Sequence, residues 1–197
     1  MKRIALSFLI ACSVTLSYAQ SPKDNLKKDF NNYIGLSIKK DFEKSMDYIV
    51  EDFFDIVPKD QMVAQFERAF NDPGLEIKLE DPKILKISAL EKIDKKHYAI
   101  IKYSNILKMK VLPQGKDETE KDLKQKAELI KAAFAKQPGI ESLKYDEKNH
   151  SFEAKVIEKV CGVSNDEGKQ WKFVKLDKSA FFILEKFIPK EILERKF

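Results

Sequence analysis

Apolar residues recur at steps of three and four through the first part of the chain. Leu26, Phe30, Tyr33, Ile34 and Ile38 fall on one stripe, which predicts an amphipathic helix packed along one side. Ser21-Pro22 supplies its start, with proline at the first helical position, where no amide hydrogen is needed. Asp41 is placed to cap a second, short helix whose inner face carries Phe42, Met46 and Ile49. Phe53-Phe54-Asp55-Ile56-Val57 reads as an aromatic-rich connector. Pro58 then opens a third helix with Met62, Val63, Phe66 and Phe70 on one stripe, and Asn71-Asp72-Pro73-Gly74 stops it.

At Gly74 the period falls towards two. Leu75, Ile77 and Leu79 alternate with Glu76, Lys78 and Glu80, a half-buried strand that Pro82 breaks or bulges. Ile84 to Leu90 continues extended, and Asp94-Lys95-Lys96 makes a polar turn into a long strand from Tyr98 to Leu112. Residues 117–136 return to helical spacing, with Leu123, Ala127, Ile130, Ala133 and Phe134 inward. Gln137-Pro138-Gly139 ends that helix. A hairpin follows, Ile140 to Tyr145 and His150 to Val163, with a phase slip near Ile157 that predicts a bulge in the second arm. Trp171 to Leu176 is a last strand, and Phe181 to Phe187 returns to helix before a final turn from Pro189. Helices segregated from antiparallel strands predict an α+β fold: N-terminal helices on a curved, mainly antiparallel sheet, with a helical insertion at 117–136.

The first residues obey a different rule. Lys2 and Arg3 precede an uncharged, mainly apolar stretch from Ile4 to Leu16, and Ser17-Tyr18-Ala19 ends on small residues. This predicts a cleavable signal peptide over 1–19, with Gln20 as the new N-terminus. The stretch is shorter than the roughly 20 residues that span a bilayer as a helix. Leu9-Ile10-Ala11-Cys12 keeps a second reading open, a lipoprotein anchored at Cys12. Either way the domain over 20–197 is expected outside the cytoplasm, periplasmic or secreted.

Cleavage after Ala19 leaves 178 residues, enough for one domain with its own core. It removes Cys12, so Cys161 stands alone and no internal disulfide is expected; a lone cysteine in a strand reads as a small buried hydrophobe. Thirty-five basic residues then face 32 acidic ones, a net +3, interspersed in sign. With three arginines in the whole chain and no basic stripe, nucleic-acid binding is not expected. No glycine-rich phosphate loop, His/Cys cluster or catalytic triad spacing occurs, so neither a metal nor a cofactor is expected. His97 and His150 stand at strand starts beside lysine and asparagine and read as surface residues.

Helices followed by long curved strands resemble the NTF2-like superfamily, the SnoaL and ketosteroid-isomerase type of cone. The stretch from Asp41 to Phe54, running into Pro58-Lys59-Asp60-Gln61-Met62-Val63, carries the resemblance, with Trp171-Lys172-Phe173 as its closing strand. The match covers residues 24–112 and 150–178, and the helix within 113–149 departs from it. The resemblance implies a pocket between helices and sheet, where family enzymes use a carboxylate base with tyrosine or protonated-acid donors. Tyr33, Tyr48, Phe54, Tyr98, Tyr103 and Trp171 are the candidate pocket residues, and Asp47, Asp55 and Glu153 the candidate carboxylates. None stands in a catalytic spacing. The expected function is therefore an exported, non-catalytic domain that binds a small apolar ligand or an envelope protein partner. The alternative is an isomerase or dehydratase using a pocket carboxylate. The resemblance also implies a homodimer through the open sheet face.

Overall fold

A computed structural model describes residues 21–197; the expected signal peptide at 1–19 and Cys12 lie outside them. Helix α1 spans Pro22–Ile38, α2 Phe42–Ser45 and α3 Lys59–Phe70. The starts follow the chemistry of the chain. The Ser21 side chain accepts from the Asp24 amide at 3.2 Å, and Asp41 caps α2 by accepting from the Lys44 amide at 3.4 Å. Two 3₁₀ turns, Met46–Tyr48 and Glu51–Phe53, carry the chain from α2 to α3.

Six strands follow: β1 Leu75–Ile87, β2 Glu91–Ile93, β3 Lys96–Val111, β4 Ile140–Asp146, β5 Ser151–Ser164 and β6 Lys172–Lys175. All named pairings are antiparallel, in the order β1-β3-β5-β4, with β2 on β3 and β6 on β5. The sheet curves without closing. Around Pro82 the β1–β3 register shifts between Glu80 and Lys83, because proline has no amide hydrogen for the ladder. The β3–β5 ladder runs unbroken from His97↔Ser164 to Lys110↔Ser151, so the bulge expected near Ile157 in β5 is absent. The irregularity lies in the partner strand instead, between Ile140 and Ser142 of β4. The apparent slip has another cause: Val156 and Ile157 point to opposite faces, and both are at least half-buried.

Each face of the sheet has its own cover. On one face Ala99, Ile101, Tyr103, Val160 and Phe173 pack with Leu26 and Phe30 of α1. The long helix α4, Glu120–Lys136, lies over the far end of that face, against Val111 and Phe152. A capping box at Thr119 and Asp122 starts it. On the opposite face Tyr98, Ile100, Cys161 and Val163 sit beneath Leu184, Ile188, Ile192 and Leu193. The C-terminal helix expected over 181–187 is shorter than its spacing suggests. It is the single turn α5, Phe181–Leu184, and Pro189 then caps α6, Lys190–Leu193. Burying a Leu or Phe as fully as Leu26 or Phe30 contributes about 1.5–3 kcal/mol each.

Candidate functional site

A cavity of about 280 Å³ opens between the N-terminal helices and the sheet. Tyr33 and Ile38 of α1, Phe42 of α2, and Phe66 and Phe70 of α3 form its helical wall. Phe42 lies against both α3 rings, with centroids 5.4 Å from Phe66 and 5.1 Å from Phe70. The floor is sheet: Leu79 of β1, Tyr103, Asn105 and Leu107 of β3, and Val156 and Glu158 of β5. Gln137 and Ile140, where α4 hands over to β4, close the far side. Gly139 permits that hand-over. Its φ is +91°, and a Cβ there would meet the Ile157 carbonyl oxygen at 2.7 Å. The Ile157 amide donates to the Gly139 oxygen at 2.7 Å, tying this wall to β5.

One end of the cavity is polar. Tyr103 and Glu158 are directly opposite in the β3–β5 register, and the Tyr103 hydroxyl donates to Glu158 Oε2 at 2.5 Å. Lys175 of β6 donates to Glu158 Oε1, so both carboxylate oxygens have partners. Burial holds the Tyr103 phenol well above its ordinary value, and the Glu158 charge, its hydrogen bond and Tyr33 push the same way. Burial and the Glu158 charge raise the Tyr33 phenol to about 12. Between this pair and the apolar end stands Asn105, whose Oδ1 is buried with no hydrogen-bond partner. The nearby hydroxyls are spent locally, Ser37 on the Tyr33 carbonyl at 3.0 Å and Ser45 on the Phe42 carbonyl at 2.8 Å.

Of the candidate pocket residues, Tyr33 and Tyr103 meet here and the other four do not. Tyr98 belongs to the opposite face, because it is five residues from Tyr103 on one strand and successive side chains alternate. Trp171 is an anchor. Its indole donates to the carbonyls of Pro22 at 3.0 Å and Gly168 at 3.2 Å, and its amide donates to Asp29 at 2.9 Å. Tyr48 packs at the edge of the α1 cluster, and Phe54 ends the second 3₁₀ turn, both half-buried and outside the cavity. The candidate carboxylates lie elsewhere too. Asp47 is exposed and pairs with Lys59 at 2.7 Å, Asp55 is exposed, and Glu153 pairs with Lys144 on the other face at 3.2 Å.

Sequence reasoning missed Glu158, Lys175 and Asn105. A signal for the first existed: on the phase of β5 that carries Ala154, Val156 and Val160, Glu158 is the charged exception. The surface reading of His150 is corrected. Its side chain is buried, with Nε2 2.7 Å from Glu120 at the start of α4, because the tight turn before β5 folds it under that helix. His97 is half-buried, with Nδ1 buried and unpartnered.

A larger depression of about 530 Å³ lies on the opposite face, open to solvent. Most of its charges pair with one another: Lys78 with Glu76 at 2.5 Å, Lys108 with Glu80 at 2.6 Å. It offers no enclosure, so the helix–sheet cavity is the better candidate. Among the described residues no cluster of three or more His, Cys, Asp or Glu could hold a metal, and no helix is long and apolar enough to cross a membrane. No protein family, curated protein or solved structure matches the chain.

Proposed function

We propose that the protein is an exported, non-catalytic domain of the NTF2-like kind that binds a small, mainly apolar molecule in the helix–sheet cavity. The observation that carries this reading is the cavity itself: aromatic on the helix side, aliphatic on the floor, polar at one end. At about 280 Å³ it sits near the low end of the ~300–1,000 Å³ typical of ligand sites, which favours a small guest. Net charge at the polar end is balanced between Glu158 and Lys175, which favours a neutral one.

The test is titration with the neutral fluorophore N-phenyl-1-naphthylamine, read by its emission. The native chain is expected to bind one equivalent saturably. Val156→Phe, which places a ring in the cavity floor, is expected to weaken binding at least about tenfold, the loss of roughly 1.4 kcal/mol. No saturable binding, or equal binding by the variant with its fold intact by circular dichroism, overturns the reading. Export rests on the leader at 1–19, and an intact mass of the secreted chain beginning at Gln20 is its check; a mass beginning at an acylated Cys12 supports the lipoprotein instead.

The 2.5 Å Tyr103–Glu158 pair favours one second reading, a pocket-carboxylate isomerase or dehydratase. Against it, Glu158 already receives a donor on each oxygen, whereas a general base needs a lone pair aimed at the substrate. Glu158→Gln separates the two readings: turnover of a carbonyl substrate that this variant abolishes supports the enzyme.

A further inference from the structure

On the sheet face away from the cavity, three lysines stand side by side. Lys86 of β1 is directly opposite Lys102 of β3, and Lys102 is directly opposite Lys159 of β5. With strands about 4.8 Å apart, the row crosses about 10 Å. Lys178, in the 3₁₀ turn Lys178–Ala180 after β6, adds a fourth charge close enough to act on Lys159. Like charges directly opposite one another destabilise a sheet. Elsewhere on this face Lys78 also stands directly opposite Lys108, but there each lysine has an acid beside it, as in Lys78–Glu76, Lys108–Glu80 and Lys155–Glu141. Among the described residues no Asp or Glu side chain pairs with any of the four lysines.

The row is also partly desolvated. Lys102 and Lys159 are half-buried, while Lys86 and Lys178 are exposed. Burial, then the charges of Lys102, Lys178 and Lys86, pull the Lys159 ammonium below its ordinary value. What reaches it is already an anion: Lys159 Nζ donates at 2.6 Å to an oxygen of the terminal carboxylate of Phe197. Lys86 lies 4.6 Å over the Phe197 ring.

We propose that Lys86, Lys102, Lys159 and Lys178 form a binding site for one phosphate group, free in solution or carried on a lipid headgroup. A phosphomonoester brings up to two negative charges and three acceptor oxygens, which matches several convergent ammonium donors better than a single carboxylate does. A nucleic acid would need the row to continue as a stripe. It does not, because Glu80, Glu141 and Glu153 break the face beyond it. The site shares no residue with the cavity and stands independently of the ligand assigned there.

The test is calorimetric titration of the mature chain with inorganic phosphate at physiological salt, beside sedimentation with phosphatidylcholine vesicles containing or lacking phosphatidic acid. One saturable site is expected, weakened at least about tenfold by Lys102→Met and by Lys86→Met, and unchanged by Lys121→Met on α4. Lys86 is exposed, so its variant reports binding even if Lys102→Met folds poorly. Row-dependent binding of inorganic phosphate supports a free anion. Row-dependent sedimentation confined to phosphatidic acid vesicles supports a headgroup. Binding of neither probe, or equal binding by every variant, overturns the proposal.

Discussion

Replacing Tyr103 by Phe removes one oxygen from the polar end of the cavity and little else. The ring stays, and with it the edge contact to Phe30, whose centroid is 5.0 Å away at 67°. The loss is a short hydrogen bond to a charged acceptor, worth about 1.5–3 kcal/mol. Glu158 keeps Lys175 on its other oxygen, which places the cost in the lower part of that range, about 1.5–2 kcal/mol. At about 2–4 °C per kcal/mol for a chain of this size, the melting temperature falls by about 3–8 °C. Urea unfolding at pH 7 should give the same difference with an unchanged slope. The pH dependence is a sharper check. The native phenol is held well above 10.0, so the folded chain keeps a proton that the unfolded chain releases as the pH passes 10. Stability drawn from that proton is complete below pH 10 and fades as the pH climbs towards the native value. The variant has nothing to lose there, so the gap between the two proteins narrows above pH 10. A gap below about 0.5 kcal/mol at pH 7, or one that stays flat or widens above pH 10, refutes the reasoning.

Further outcomes follow from three particular positions. Gly162→Ala places a methyl 2.7 Å from Leu26 Cδ1 and 3.2 Å from Trp171 Cε3, and this overpacking should cost about 1–3 kcal/mol in denaturant unfolding. Cys161 is fully buried with its thiol pushed up from 9.0 to about 12; it should be silent to Ellman's reagent in the native chain and react once unfolded. Stability due to that protonated thiol is complete below pH 9 and is lost as the pH rises towards 12, with a slope of up to about 1.4 kcal/mol per pH unit that Cys161→Ala abolishes. Asn105→Leu removes a buried, unpartnered oxygen and should raise the stability of the ligand-free chain by about 1–3 kcal/mol in thermal unfolding; a drop would mean the amide is satisfied in the free protein.

Local chemistry was legible, and long-range register was not. Ser21-Pro22 and Asp41 announce helix starts because a cap is a contact within three residues, and the observed caps are those residues. Pro82 announces an irregularity because a missing amide hydrogen acts where it stands. Tyr33 and Tyr103 were named for their type and do share the cavity, but their companions could not be named the same way. Glu158 meets Tyr103 because the β3–β5 ladder puts 103 opposite 158. Lys175 joins them because β6 pairs Lys175 with Val160, two residues along β5. A shift of one residue in either ladder would turn each charge to the other face. Tyr98 shows the same limit in reverse: an aromatic on the right strand stands in the wrong phase.

The placement of α4 explains why a cavity exists at all. The helix face of the sheet carries two apolar clusters, one under α1 that reaches Tyr103 and one under α4 that begins at Leu107. Between them on the same strand and the same phase stands Asn105. Two covers that stop short of each other leave a seam, and the seam is the cavity, with α3 on one side and the Gln137–Ile140 hand-over on the other. The hand-over after α4 thus supplies one wall of the cavity, across from a tyrosine, a paired glutamate and an unmet amide.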